Sequence, residues 1–213
     1  MSLYKTIKKN YSFLRYLEHQ IIKKIDLHGN VIDLGAKSEN ERYYEHLNLD
    51  AVDNLEFCDI SSKSKNIRIL NLEEKFSIDS NFYDSVLYFN VLEHIYNYNN
   101  LISETHRILK RNCFCHVIVP FMWKYHGDPD DFNRFTHTAL YRKFTEVGFG
   151  SVEVYPIGCG IWIAIANLLY KRIPSRLLKY LTLKTFMTLQ TIEDSIKDVR
   201  NEYCLAWYLK AKK

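Results

Sequence analysis

The sequence predicts an α/β fold built on a mostly parallel sheet flanked by helices, and three observations carry that prediction. Short apolar runs alternate with amphipathic segments along the chain, the pattern of successive βαβ units. One run, Val86-Leu87-Tyr88-Phe89, is apolar throughout, as a strand covered on both faces must be. The strand-like runs end in polar residues, Asp33, Asp59, Asn71 and Asn90, at the carboxyl ends where open α/β sheets hold their ligands.

The elements follow in order. Leu3, Ile7, Tyr11, Leu14, Leu17, Ile21 and Ile25 recur near the helical period, so one helix is expected over 3–25, closed by Gly29. The first strand is Val31-Ile32-Asp33-Leu34, stopping at Gly35. A helix is expected over 41–47, then extended stretches at 51–53 and 55–60. The polar cluster 61–66 reads as a surface loop, and 67–71 as a short strand. After the central strand, Val91, Leu92 and Ile95 recur at helical spacing and leave Glu93 and His94 on other faces of a helical turn.

An amphipathic helix is expected over 101–109 and a strand over 114–119, stopped by Pro120. A helix over 140–147 ends at Gly148, 151–157 is extended, and 202–210 is the last strand. Between the final two strands lies a helical insertion, 159–200. It holds the nearly all-apolar 161–170, then Lys171, Arg172, Pro174 and Arg176, then a second helical stretch over 177–199. Ten apolar residues fall short of the roughly 20 a membrane span needs. The segment 161–184 is therefore expected to pack on the sheet, to pair with a second subunit, or to touch a membrane surface through its basic flank. No repeat or low-complexity linker divides the chain, so a single domain is expected over 1–213, with an N-terminal helical segment at 1–28.

Composition narrows the function. With 47% hydrophobic and 25% charged residues, the chain has the make-up of a globular protein and not of a disordered one. The net charge of +4 is mild and its lysines and arginines are dispersed, which argues against a nucleic-acid partner. The cysteines (58, 113, 115, 159 and 204) are odd in number and lack disulfide-like spacing, so structural thiols in a reducing cytoplasm are expected. Cys113-x-Cys115 lacks a nearby Cys/His pair, so no metal is expected. The first residues lack an apolar core like that of a signal peptide. The expected location is thus cytoplasmic, with or without membrane association.

Asp33-Leu34-Gly35 is the first chemical signal: glycine lets a ligand approach the backbone, and the acid accepts hydrogen bonds. The dinucleotide fingerprint Gly-x-Gly-x-x-Gly is absent. Taken with Asp59, Asn71-Leu72, Asn90-Val91-Leu92-Glu93-His94 and a helix ending Arg107-Ile108-Leu109-Lys110, it resembles the class I S-adenosylmethionine-dependent methyltransferases, of the type 11-like kind. The likeness covers about residues 25–155. It implies a Rossmann-like, mostly parallel seven-stranded sheet, with S-adenosylmethionine as cofactor and S-adenosylhomocysteine as product. It further implies that Asp33 and Gly35 flank the methionine part, that Asp59 takes the ribose, and that Asn71 and Leu72 meet the adenine. Asn90, Glu93 and His94 would line the floor of the transfer site.

The departures from the family are specific. Lys37 and Glu39 stand where later loop glycines belong, so Lys37 either pairs with the cofactor carboxylate or obstructs the loop. Asn71 stands where the family often has Asp, although its carbonyl oxygen can still meet an adenine amino group.

A second stretch, His126-Gly127-Asp128-Pro129-x-Asp131-x-x-Arg134-Phe135-Thr136, follows the fifth strand. It resembles a subgroup of these methyltransferases associated with sugar and surface-polysaccharide pathways. Methyl transfer to a hydroxyl needs a base, and histidine is the residue type that titrates nearest neutrality. His126 is the first candidate and His94 the second, with Asp128 or Asp131 to orient the base. Tyr125, Asp131 and Arg134 are the candidates for binding the acceptor. The expected function is O-methylation of a small polar acceptor: a sugar, a sugar phosphate or a surface-polysaccharide precursor. Two other readings remain: a C- or N-methyltransferase of lipid or quinone synthesis, which 161–184 would suit, and a non-catalytic partner subunit with this fold.

Overall fold

The computed structural model describes residues 2–61, 64–197 and 202–213. Two short helices, α1 (Leu3–Lys8) and α2 (Phe13–Ile22), precede strands β1 (Gly29–Leu34), β2 (Val52–Asp59), β3 (Ile67–Ile69) and β4 (Tyr83–Phe89). Helix α3 (Tyr98–Ile108), strand β5 (Leu109–Pro120), helix α4 (His137–Val147) and strand β6 (Ser151–Ile157) follow. Helices α5 (Ile161–Tyr170) and α6 (Arg176–Ile196) form a hairpin before β7 (Ala206–Lys212). The strands make one seven-stranded sheet in the order β3-β2-β1-β4-β5-β7-β6. All neighbours are parallel except β7, which runs antiparallel to both β5 and β6.

The apolar run in β4 acts as predicted because successive residues face opposite layers. Val86 and Tyr88 join Ile32 and Leu34 beneath α3 and α4, whereas Leu87 and Phe89 join Val31 beneath α2 and α5. Wholly buried Phe13 is one anchor of α2; burial of such a side chain contributes about 1.5–3 kcal/mol. That anchoring holds α2 over the carboxyl end of the sheet, where the site forms.

Several expectations are corrected. The single helix over 3–25 is two, because Asn10 adopts a left-handed conformation (φ 57°) and Ser12 starts a new helix by accepting from Arg15 N at 3.1 Å. Gly29 does not close a helix but opens β1. The helix over 41–47 shrinks to a 3₁₀ turn, Tyr44–His46, and the turn after Asn90 is also 3₁₀, Leu92–His94. In the predicted loop 61–66, Ser62 and Lys63 lie outside the described residues, as does the end of the predicted helix 177–199 beyond residue 197.

The expectation of free thiols fails for one pair: Cys159 and Cys204 form a disulfide. The antiparallel pairing of Ile157 with Ala206 brings their chain ends together, a consequence of topology that a separation of 45 residues does not reveal. Cys58, Cys113 and Cys115 stay free. The pairing removes the basis for inferring a reducing compartment.

Candidate active site

A cavity of about 240 Å³ opens at the carboxyl ends of β1, β4 and β5. Gly35, Lys37, Asn90, Glu93 and His94 line it from the sheet side. His126, Asp128, Asp131 and Arg134 close it from the loop after β5. Most of the residues singled out in the sequence therefore meet in one place, contributed by three separate strand ends.

Gly35 has φ +84°, a conformation glycine adopts without cost, and a Cβ there would sit 2.7 Å from Val91 Cγ2. Its N–H and that of Ala36 both donate to the Cys58 carbonyl, at 2.7 and 2.9 Å. The loop after β1 thus turns tightly against the start of the Asn90–His94 segment.

Asp33 lies below the cavity, 1% exposed, accepting from the Tyr43 hydroxyl at 2.5 Å and the Tyr44 hydroxyl at 2.7 Å. Burial pushes its carboxyl up to about 7, against the pull of the two hydroxyls. Tyr43 itself faces the cavity. The acid thus braces the wall through a tyrosine.

Glu93 is the cavity's buried acid. It is 3% exposed, its Oε2 has no hydrogen-bond partner, and burial pushes its carboxyl up to about 8. His94 stands beside it, with Nε2 3.7 Å from Glu93 Oε1. His94 Nδ1 lies 2.5 Å from the Asp130 carbonyl. A carbonyl only accepts, so Nδ1 carries a proton, and in the neutral ring Nε2 is then the nitrogen with the lone pair. His126 faces His94 edge to face, with ring centroids 6.0 Å apart.

Asp131 and Arg134 hold each other through two parallel hydrogen bonds, the Nη2–Oδ2 one at 2.5 Å. The guanidinium keeps the Asp131 carboxyl below the usual range. Arg134 also donates to the carbonyls of Asn133 (2.8 Å) and Lys124 (3.2 Å), while Asp131 accepts from His126 N at 2.8 Å. These bonds knit the loop after β5 into an arch and leave Arg134 largely committed to it. Lys37 pairs with Asp128 across the mouth.

Other predicted residues lie apart. Asp59 ends β2 without lining this cavity. Asn71 is engaged locally, accepting from Glu73 N at 3.0 Å and donating to Glu74 at 2.8 Å, and Leu72 is core. Tyr125 points outward, 72% exposed. A second cavity of about 630 Å³, lined by Lys37, Ser38, Glu39, Ser61 and Ile67, lies between the loops after β1 and β2. Lys37 is the boundary that the two cavities share. Glu39 ties those loops together by accepting from Ser64 (2.5 Å) and Asn66 (3.1 Å).

Helix α2 forms a wall of the cavity that helical periodicity alone does not place there. Arg15 and buried Glu18 pair at 3.1 Å and face the cavity. With its amide turned to satisfy both ends, Asn90 donates to Glu18 Oε1 (3.2 Å) and accepts from Arg15 Nη1 (3.3 Å). The available signal was two charged residues three apart between the apolar positions of that helix. Trp123, Glu41, Phe89, Ser12, Leu14 and Pro120 complete the lining.

No protein-family model matches the sequence, and no curated protein matches it. Solved structures match the fold. A SAM-dependent methyltransferase from Archaeoglobus fulgidus aligns with TM-score 0.60 at 15% identity, over 98% of this chain and 97% of its own. Phosphoethanolamine N-methyltransferase 2 of Haemonchus contortus, solved with S-adenosylmethionine, aligns with TM-score 0.57 at 12% identity, over 92% of this chain. The alignment spans 52% of that enzyme, about half its length. The cyclase SpnF aligns with TM-score 0.58 at 12% identity, over 94% of this chain and 81% of its own. The architecture is that of the class I S-adenosylmethionine-dependent methyltransferases. The cyclase is a reminder that chemistry must be argued from the site.

Proposed function

We propose that this chain is an S-adenosylmethionine-dependent methyltransferase acting on a hydroxyl of a polar acceptor such as a sugar, a sugar phosphate or a polysaccharide precursor. The observation that carries this reading is His94, fixed through Nδ1 by the Asp130 carbonyl so that its Nε2 lone pair is available beside a cavity at the β4 end. The residues present suit the cofactor. Lys37 offers a cation for its carboxylate at the boundary of the two cavities, Gly35 keeps the backbone accessible, and Asp59 ends β2 where the resemblance places the ribose.

When bound, S-adenosylmethionine supplies a methyl group on a positively charged sulfur and leaves as a neutral thioether. The chain contributes position and proton transfer. An acceptor hydroxyl held by the arch of 124–134 gives its proton to His94 Nε2 while its oxygen forms the new bond to the methyl carbon. His126, edge to face with His94, narrows the cavity on that side, and Glu93 faces the charge that develops on the imidazole.

Incubation with S-adenosylmethionine and a panel of hydroxylated acceptors, read as S-adenosylhomocysteine formed, tests the reading. His94→Ala is expected to lower turnover about 100-fold or more while cofactor affinity holds. An unchanged rate removes His94 from the mechanism. The Lys37–Asp128 pair across the mouth favours one alternative, a non-catalytic subunit with a closed cleft; failure of any cofactor to bind would support it.

A further inference from the structure

The α5–α6 hairpin has a surface that the methyl-transfer reading does not use. Residues 161–192 carry five basic side chains and no acidic one. Around the turn between the helices, Leu168 and Leu177 are 60% and 65% exposed, and Leu178 and Leu181 are about half exposed. On α6, residues 177, 178 and 181 fall on one face by helical spacing. Lys171, Arg172 and Arg176 are exposed among these leucines, and Lys179 lies over the Tyr170 ring at 4.9 Å. Monomeric soluble proteins rarely expose so concentrated an apolar patch without a partner.

Beside this patch, an apolar groove of about 700 Å³ runs between α5 and the loop after β5. Phe121, Met122, Leu168 and Tyr170 line it, and Lys124, Lys171 and Arg172 edge it. Ser12 and Trp123 border both this groove and the polar cavity. The two spaces are therefore neighbours, one apolar and one polar.

We infer that the hairpin docks on an anionic phospholipid surface, its leucines entering the headgroup region and its cations pairing with lipid phosphates. Charge decides the occupant. A partner protein or a second copy could cover the leucines. The acids of α6 among the described residues, Glu193 and Asp194, stand near its far end and accept from Gln190, so the cations cluster toward the turn, where they repel an identical face and complement an anionic bilayer. No helix among the described residues is long and apolar enough to cross a membrane, which leaves surface docking as the mode. The docking stands independently of the catalytic reading. One corollary rests on that reading: the acceptor is membrane-borne, with its hydrocarbon part in the groove and its hydroxylated head in the cavity.

Co-sedimentation with vesicles of phosphatidylcholine alone, and of phosphatidylcholine mixed with phosphatidylglycerol, tests the docking. The full chain is expected to pellet with the mixed vesicles and to be released by high salt. Lys171→Glu with Arg172→Glu should weaken binding by about tenfold or more, from the loss of two cations near the lipid surface. Leu177→Ser with Leu178→Ser, at exposed positions, should also weaken it with the circular dichroism spectrum and melting temperature retained. Binding to neither vesicle overturns the proposal. So does a dimer in solution that the leucine variant converts to monomer, since the face would then be a contact between copies. The corollary has its own readout: vesicle binding with no methylation of lipid-linked hydroxyls keeps the docking and rejects the delivery of acceptor.

Discussion

Replacing Gly35 by alanine tests how the loop after β1 is built. Two costs follow from the structure. A residue with a Cβ held at φ +84° costs about 1–2 kcal/mol. The new Cβ would also lie 2.7 and 2.9 Å from the two γ-methyls of Val91, and relieving that overlap costs about 1–3 kcal/mol. Gly35→Ala should therefore lose about 2–5 kcal/mol in urea unfolding. Val91→Ala removes both methyls, so the double variant should regain the steric part and keep only the backbone strain of about 1–2 kcal/mol. The four corners of this cycle measure the coupling directly. A Gly35→Ala loss below about 0.5 kcal/mol, or no recovery in the double variant, would refute this packing account. Val91 leads into Leu92–His94, so the same substitution should also displace His94 and lower methyl transfer.

Glu93→Gln probes the buried acid. Because the folded carboxyl titrates near 8 against an ordinary value of 4.5, its burial favours the protonated folded state. Stability from this group is full below about pH 4.5 and falls as pH rises toward 8. Asp33 adds a decline of the same sign, from 3.8 toward about 7. Melting temperatures between pH 5 and 8 should fall less steeply in Glu93→Gln than in wild type; identical slopes would show that Glu93 is not the titrating group. Arg134→Ala leaves Asp131, whose side chain is 2% exposed, without its guanidinium, and should cost about 1.5–3 kcal/mol by chemical denaturation. A loss confined to activity would instead make Arg134 an acceptor ligand.

The parts of the fold that rest on local pattern were legible. Val86 to Phe89 read as a central strand because every residue is apolar, and polar Asn90 at its end marked the edge of the sheet that carries the cavity. What depends on one backbone angle or on distant chain segments was not. Asn10 splits the first helix by a left-handed φ that helical periodicity cannot register. Cys159 and Cys204 meet because β6 and β7 are antiparallel neighbours. The hydroxyls of Tyr43 and Tyr44 reach Asp33 because the short turn at 44–46 folds back onto β1, a contact that spacing along the chain does not display. Arg15 and Glu18 reach the cavity only because α2 packs over the β4 end.

The central claim is that these strand ends hold S-adenosylmethionine, and calorimetric titration of the purified chain tests it most directly. Wild type should bind with micromolar affinity. Lys37→Ala should bind about tenfold more weakly, having lost one charged hydrogen bond. No binding by either protein would contradict the account and leave a methyltransferase fold with a closed cleft.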